Sequence, residues 1–296
     1  MKKCKNCFIT NIIPGSNFNK NGLCNACAIN RPKINWESRL KHLKKISINF
    51  KNKSTNYDCI VPVSGGKDST RQAFFVRDNL KMNPLLVTLA YPPEQQTIIG
   101  AQNFENLISN GFDGLYVSLS PKTWKKMMKY SFYKFGNIFK SCEQALFATA
   151  PIVAIREQIN LIIYGENAGL QWGYDAHVSK GGDANNLRNS NTLSGGGVEK
   201  YIDSGFMKKK LFWYDYPTKE DFLKNKISMI FLGYFIRNFN DNFNAAFSIK
   251  KGLKTRKGFD ANPKNTGNIE NFDALDDDFV FVNQFIKYKK FGMGKV

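Results

Sequence analysis

The chain has 296 residues, 42% of them hydrophobic, which is enough to bury one or two substantial cores and argues against global disorder. Its 43 lysines and arginines outnumber 24 acidic residues, giving a formal net charge of +19. This charge favours an anionic partner such as ATP, a nucleotide sugar, nucleic acid or an acidic protein, without choosing among them. No run of 18 apolar residues occurs, so no membrane span is expected. The basic N-terminus lacks the apolar stretch of a signal peptide, which predicts a cytoplasmic location.

Residues 1–30 contain two Cys-x-x-Cys pairs with 16 residues between them, formed by Cys4, Cys7, Cys24 and Cys27. In a cytoplasmic chain this spacing predicts a tetrahedral zinc site rather than disulfides. So short a segment buries too little apolar surface to fold alone, and a metal would supply the missing stability. We therefore predict a zinc ribbon with a closed, structural Zn²⁺ site. An iron–sulfur cluster also takes four thiolates and is the alternative.

Residues 31–57 show apolar positions every three to four residues, with lysines and arginines between them: Trp36, Leu40, Leu43, Ile46 and Phe50. This spacing predicts an amphipathic helix that links the ribbon to the main domain. We interpret it as a helix packed on that domain, and a basic helix that contacts nucleic acid is the alternative.

A strand, a tight turn and a helix follow one another around residues 64–69. Residues 60–63 are apolar and predict a buried strand, while residues 67–80 suit a helix. Between and after them stand Ser64, Gly65, Gly66, Lys67, Asp68 and Ser69. Glycines let backbone N–H groups approach an anion, and the helix N-terminus and the lysine add positive charge. The aspartate beside such a phosphate site suits Mg²⁺. An ordinary polar turn is the alternative.

The spacing of this loop separates it from two common nucleotide-binding motifs. The common P-loop needs Ser or Thr after Gly-Lys, whereas Asp68 follows Lys67, and no Gly-x-Gly-x-x-Gly is present. Ser-Gly-Gly-Lys-Asp-Ser instead resembles the pyrophosphate loop of the ATP pyrophosphatase group. That resemblance implies cleavage of ATP between its α and β phosphates, so that AMP activates a substrate oxygen. It makes Lys67 and Asp68 candidate catalytic residues, and residues 64–69 a candidate ATP site.

Strand and helix patterns alternate over residues 58–179, which we predict to be the ATP-binding domain. Predicted strands cover residues 60–63, 85–90, 114–119 and 161–164. Predicted helices cover residues 68–80, 96–110, 121–135 and about 143–158. This order predicts an α/β fold, with a parallel sheet and helices on both faces. Ligands bind at the carboxyl ends of such strands, so the loops at 64–69, after Leu89 and after Tyr164 should face the nucleotide.

The loop after Tyr164 carries a carboxylate and a carboxamide, Glu166 and Asn167, between Gly165 and Gly169. We predict that Glu166 contacts Mg²⁺ or the acceptor as a catalytic residue. Asn167 would contact the acceptor or ATP. A solvated turn is the alternative.

The remaining residues, 180–296, carry weaker signals. Residues 180–205 are rich in Gly, Asn and Ser, which suggests a mobile loop or lid. Residues 206–245 are aromatic and basic, and we predict a mostly helical region that serves the substrate or an oligomer. Only two histidines occur in the chain, His42 and His177, so a histidine general base is poorly supported. Adenylation needs less acid–base help, because pyrophosphate can leave onto Mg²⁺, a lysine and backbone donors.

Taken together, the ribbon, the 64–69 loop and Gly165-Glu166-Asn167 resemble the N-acetyl sugar amidotransferase family. This family belongs to the pyrophosphate-loop enzymes of surface-polysaccharide, lipopolysaccharide and nonulosonic-acid biosynthesis. The similarity continues in three further segments, residues 231–234, 275–277 and 289–294. It implies an adenine nucleotide alpha hydrolase-like fold, and an ATP-dependent conversion of a sugar acetamido group to an acetamidino group. The sugar would be nucleotide-linked, and a separate glutaminase subunit would supply ammonia.

A tRNA thiolation enzyme is the alternative function. Such enzymes share the pyrophosphate loop and often a zinc ribbon, and the positive charge would suit RNA. They generally need further cysteines for sulfur transfer, and only Cys59 and Cys142 remain here. Cys59 lies inside a predicted strand, which predicts a buried and inert thiol. A non-catalytic nucleotide-binding or scaffold protein is a third class, against which the intact loop argues.

Overall fold

The structure is a computed structural model that describes residues 2–7, 9–12, 16–28, 34–53, 56–165, 181–190, 192–202, 205–255, 285–286 and 289. None of the helices in these ranges combines the length and the apolar character needed to cross a bilayer.

A five-stranded sheet forms the centre of the molecule. Its strands are β1 (Cys59–Pro62), β2 (Pro84–Ala90), β3 (Asp113–Ser118), β4 (Leu161–Tyr164) and β5 (Ser228–Phe231). They lie in the order β3-β2-β1-β4-β5, and every neighbouring pair is parallel. The first strand is therefore central, so the loop that follows it leaves from the middle of the carboxyl edge.

Nine described α-helices accompany the sheet. They are α1 (Asn25–Ala28), α2 (Trp36–Phe50), α3 (Lys67–Phe74), α4 (Ile98–Ser109), α5 (Pro121–Phe135), α6 (Lys140–Glu157), α7 (Glu199–Ile202), α8 (Lys219–Lys224) and α9 (Asp241–Lys250). A π-turn at Phe75–Asn79 extends α3. Short 3-10 turns occur at Pro93–Gln95, Leu187–Asn189, Lys208–Tyr214 and Leu232–Tyr234.

Two separate cores cover the two faces of the sheet. Successive strand residues point to opposite faces, so Ile60 joins one core while Cys59 and Val61 join the other. The first core contains side chains of α5 and α6, including the fully buried Trp124. The second contains side chains of α2, α3 and α4, including the fully buried Leu43. The expected α/β fold, a parallel sheet with helices on both faces, is confirmed.

The sequence analysis did not predict the fifth strand, which lies within the region of residues 206–245 that it expected to be mostly helical. β5 pairs with β4 in register, with Ile163 opposite Ile230, and Met229 is fully buried. The apolar run at residues 229–232 is too short for its periodicity to separate a buried strand from a buried helix. The sheet therefore extends beyond residue 179.

Part of the described stretch of residues 180–205 packs against α6. Leu193, Val198 and Tyr201 are buried. The side-chain amide of the buried Gln144 donates hydrogen bonds to the carbonyl oxygens of Gly196 at 2.8 Å and of Gly197 at 3.2 Å. These hydrogen bonds hold the backbone at Gly196 and Gly197, and the mobile loop or lid that the composition suggests stays a prediction.

Candidate active site

The loop at residues 64–69 connects β1 to α3, as the sequence predicted. Gly65 has a φ of +81°, a conformation that a residue with a Cβ adopts at a cost. A Cβ there would also lie 3.4 Å from the carbonyl oxygen of Gly100 and 3.4 Å from the amide nitrogen of Phe104. Gly66 occupies the N-cap of α3 and makes no side-chain capping bond. Backbone donors of the first turn of α3 therefore begin directly at the loop.

The two serines of the loop hold its shape. Ser64 donates its backbone N–H to Ser69 Oγ at 3.3 Å, and Ser69 Oγ donates to the carbonyl oxygen of Gly66 at 3.1 Å. Gly66 donates its backbone N–H to Ser64 Oγ at 3.3 Å. These hydroxyl groups thus fix the approach of the backbone as well as offering donors to a ligand.

Lys67 and Asp68 lie together at the start of α3. The Lys67 side chain is 3% exposed, and its Nζ lies 2.8 Å from Asp68 Oδ2 and 3.7 Å from Asp241 Oδ1. Sequence reasoning placed the first two residues in the site and missed the third. Because both carboxylates attract the same ammonium group, a phosphate that enters the loop competes with them for Lys67.

Helix α9 packs on the loop and orients both catalytic candidates. Asn244 Nδ2 donates to Asp68 Oδ1 at 2.6 Å, and Ser248 Oγ donates to the carbonyl oxygen of Lys67 at 2.7 Å. Asn244 and Ser248 are both buried. They stand four residues apart on one helix face, and the only other buried residue of α9, which the structure describes throughout, is Ala245 between them. No local sequence pattern pointed to this role, which depends on the packing of α9 against α3.

The residues present fit a magnesium ion. Mg²⁺ prefers oxygen ligands and is usually held by one or two carboxylates together with substrate phosphates. Asp68 uses its two oxygens for Lys67 and Asn244, and an ionised carboxylate offers about four acceptor positions, so capacity remains. The half-exposed Asp241 supplies a second carboxylate close to the same ammonium group.

The ends of β4 and β5 lie beside α3. The side-chain amide of Gln72 on α3 donates to the carbonyl oxygen of Ile163, and Gly233 donates its backbone N–H to the carbonyl oxygen of Gly165 at 2.9 Å. The loop that follows Tyr164 therefore starts next to α3, the helix that follows residues 64–66. Glu166 and Asn167 lie outside the described residues, and their roles stay predictions.

The four ribbon cysteines come together as the sequence predicted. The Sγ atoms of Cys4, Cys7, Cys24 and Cys27 all lie within 4.8 Å of one another. Tetrahedral zinc with Zn–S bonds of about 2.3 Å needs sulfur atoms about 3.8 Å apart, so the set suits one metal ion. A [4Fe–4S] cluster spreads its thiolates over different irons and needs a wider set. The donor set therefore fits a structural Zn²⁺ better than a cluster.

Backbone donors prepare one of these thiols for a metal. Burial raises the pKa of Cys4, but the N–H groups of Cys24 and Asn6 donate to its Sγ at 3.2 and 3.4 Å. These bonds, with a further backbone contact, outweigh burial and lower the pKa to about 6. The metal-binding thiolate form is thereby favoured at this position.

The two remaining thiols are not accessible. Cys59 is 0% exposed inside β1, and burial raises the pKa of its thiol. Cys142 is 1% exposed and belongs to the core between α6 and the sheet. The expectation of a buried and inert Cys59 is confirmed, and Cys142 offers no surface thiol either.

His42 has a packing role in the structure. Its ring makes an edge contact with Phe235, with centroids 5.8 Å apart, on the side of the sheet covered by α2. His177 lies outside the described residues.

Comparisons with known proteins give structural resemblance alone. No family model matches the chain, and no curated protein matches it in sequence. One similar solved structure is the U34-tRNA thiolase NcsA from Methanococcus maripaludis with its [4Fe-4S] cluster. It is 13% identical, with a TM-score of 0.36, over 99% of this chain and 85% of that chain. Another is NMN synthetase from Francisella tularensis, 12% identical, with a TM-score of 0.34, over 66% of this chain and 97% of that chain.

Proposed function

We propose that the chain is an ATP-dependent enzyme that forms AMP and pyrophosphate, and that it converts the acetamido group of an N-acetyl sugar to an acetamidino group. The observation that carries the proposal is the loop at residues 64–69. It leaves the central strand of a parallel sheet at the carboxyl edge, and Lys67 and Asp68 stand at the first turn of the helix behind it.

The reaction has two steps. The acetamido oxygen attacks the α-phosphorus of ATP, a new P–O bond forms, and the bond to the bridging oxygen breaks so that pyrophosphate leaves. The product is an O-adenylyl imidate. Ammonia then adds to the imidate carbon, the C–O bond to AMP breaks, and the nitrogen loses protons to solvent as the acetamidino group forms. ATP supplies the driving force, and no oxidant or reductant is needed.

The chain's own groups stabilise the leaving pyrophosphate. Lys67 and the N–H groups of the first turn of α3 donate to its oxygens, where negative charge develops. Asp68, held by Asn244, would bind Mg²⁺, which neutralises phosphate charge when bound. To do this, Lys67 exchanges its carboxylate partners for phosphate oxygens.

Ammonia would come from a separate glutaminase subunit. A glutaminase that works through a cysteine needs an accessible thiol. The cysteines of this chain lie either in the four-cysteine cluster or in the core at Cys59 and Cys142. The same burial weakens the alternative of tRNA thiolation, because sulfur transfer through Cys142 would need that side chain to reach a substrate.

The test is pyrophosphate release from ATP and Mg²⁺ with ammonium chloride as the nitrogen source. A panel of free and nucleotide-linked N-acetyl sugars is compared with bulk tRNA. Release that depends on one N-acetyl sugar, with a product one mass unit lighter because NH replaces O, supports the proposal. Release that depends only on tRNA would support a tRNA thiolation enzyme in place of an amidotransferase. Release with neither substrate would leave no support for an amidotransferase.

A further inference from the structure

A basic cleft opens at the carboxyl end of β3, on the same edge of the sheet as the pyrophosphate loop. Its volume is about 680 Å³, within the range of small-ligand pockets. The start of α5 forms one wall and the 3-10 turn Lys208–Tyr214 forms the other. Four exposed lysines line it, called the cleft lysines below: Lys122, Lys126, Lys209 and Lys210.

Within the part of the chain that the structure describes, the lysines of this cleft form no ion pairs with acidic side chains. The adjacent Lys208 lies 3.2 Å from Glu199 and 4.0 Å from Asp215. No carboxylate among the described residues lies within 4 Å of a cleft lysine. Four ammonium groups around one concave surface repel one another, and an anion that binds between them relieves this repulsion.

The N-terminus of α5 adds to the same field. This 15-residue helix begins at Pro121, and its N-cap residue Ser120 makes no side-chain capping bond. Ser120 and Thr123 both line the cleft. The N–H groups of an uncapped first turn point towards an anion, and the helix dipole favours negative charge there.

Aromatic side chains complete the cleft. Phe212 is 49% exposed, and its ring centroid lies 5.3 Å from that of Trp213 in an edge contact. The ammonium group of Lys126 lies over the ring of Phe206, 4.3 Å from the ring centroid. Exposed aromatic faces between lysines are typical of sites that stack a base while cations hold its phosphates.

We propose that the basic cleft binds the nucleoside diphosphate part of the acceptor, with the phosphates on the cleft lysines and the base against Phe212. This inference rests on the proposed function. β3 and β1 are separated by one strand, so they lie about 10 Å apart across the sheet. A diphosphate held at β3 can therefore direct the attached sugar towards the loop at residues 64–69. The volume of the cleft, about 680 Å³, suits one nucleotide.

The test measures ligand binding without turnover. UDP, GDP and CDP serve as nucleoside diphosphate probes, and inorganic pyrophosphate as the probe without a base, each titrated by calorimetry without ATP. We expect Lys209→Gln with Lys210→Gln to weaken binding of the best nucleoside diphosphate about tenfold or more, because each charged hydrogen bond to phosphate is strong. Phe212→Ala should weaken that probe severalfold and leave pyrophosphate unchanged.

A matched control removes the same charge elsewhere. Lys41 and Lys44 are exposed on α2, which packs on the other face of the sheet. Lys41→Gln with Lys44→Gln should leave nucleoside diphosphate binding within twofold of the parent. An equal loss in both double variants would mean that only net charge matters, and this would overturn the proposal. Circular dichroism confirms that each variant folds.

Two further measurements separate the possible failures. Lys67→Ala should bind the nucleoside diphosphate like the parent, since Lys67 belongs to the other site. If the parent protein binds the nucleoside diphosphate but releases no pyrophosphate with any N-acetyl sugar, the proposed function is lost and the assignment of the cleft remains. A ten-nucleotide single-stranded RNA that binds at least tenfold more tightly than every diphosphate, and loses that affinity in the Lys209→Gln, Lys210→Gln protein, would overturn the proposal in favour of nucleic acid.

Discussion

Asn244 donates its side-chain amide to Asp68 across 2.6 Å, although 176 positions separate the two residues in the chain. Asn244 is 1% exposed, and Asp68 uses its other oxygen for Lys67. A buried amide thus holds the carboxylate that would bind magnesium. Helix α9 is therefore part of the candidate site through its contacts with the loop.

Replacing Asn244 with alanine should misplace Asp68. We expect pyrophosphate release to fall about tenfold or more and the free energy of unfolding to fall by about 1–3 kcal/mol, since a buried hydrogen-bonded partner is lost. Asn242, an exposed asparagine on the same helix, provides the control. Asn242→Ala should change neither activity nor stability measurably. Equal activity in the two variants would contradict a role for Asn244.

Replacing Lys67 or Asp68 with alanine should abolish pyrophosphate release. The Lys67 variant loses the cation that meets the leaving phosphates, and the Asp68 variant loses the carboxylate for magnesium. Circular dichroism should still show the fold, because the sheet and both cores do not depend on this pair. Pyrophosphate release retained in either variant would contradict the assignment of residues 64–69 as the ATP site.

Replacing Asp241 with asparagine should tighten ATP binding. Asp241 lies 3.7 Å from Lys67 Nζ and is half-exposed, so its removal frees the ammonium group at little structural cost. We expect the dissociation constant for ATP to fall about two- to fivefold, as for other partly exposed ion pairs. The matched control is Asp78→Asn, in the π-helical segment Phe75–Asn79 at the other end of α3 from the loop. Weaker ATP–Mg²⁺ binding in Asp241→Asn would indicate instead that this carboxylate holds the metal.

The cysteine cluster should contain one zinc ion per chain. Elemental analysis of the purified protein is the measurement, and iron with sulfide in place of zinc would contradict the assignment. Cys24→Ser should lose the metal and the protease resistance of the ribbon, because so small a segment depends on the metal to fold. Cys142→Ala, which alters a buried thiol outside the cluster, should keep the full metal content.

Lys200 should make the free energy of unfolding depend on pH in the alkaline range. Burial, with the charges of Lys140 and Arg188, lowers the pKa of Lys200 from 10.5 to about 8. Between pH 8 and 10.5 the unfolded chain holds a proton that the folded chain has lost, so this residue makes stability rise with pH. Urea unfolding at several pH values should show this rise disappear in Lys200→Met and persist in Lys219→Met. If the free energy of unfolding of Lys200→Met rises with pH as in the parent, Lys200 is not the cause of the rise.

The parts of the fold that sequence predicted well are those with strong local patterns. The long helix Pro121–Phe135 was predicted to the residue, and the first four strands to within about one residue at each end. β5 was missed because four residues in a sheet show no distinctive period. Its identity as a strand comes from pairing with β4, a contact between segments that are far apart in the chain.

The candidate site likewise has one part that the sequence predicted from local motifs and another that depends on contacts between distant segments. The loop at residues 64–69 and the four cysteines are local motifs, and their chemistry could be inferred from residue types and spacing alone. Asp241, Asn244 and Ser248 join the loop only through the packing of α9 on α3, which no local pattern reports. The cleft lysines likewise come from two segments that meet only in the folded chain.

The position of β5 also has a consequence for synthesis on the ribosome. β4 is complete at residue 164, but its outer neighbour arrives only with residues 228–231. Until then one edge of β4 exposes unpaired N–H and C=O groups, which can pair with another chain. The nascent protein therefore passes through a stage in which this edge is open. Aggregation during expression should be most sensitive to substitutions that weaken β5, such as Ile230→Asp.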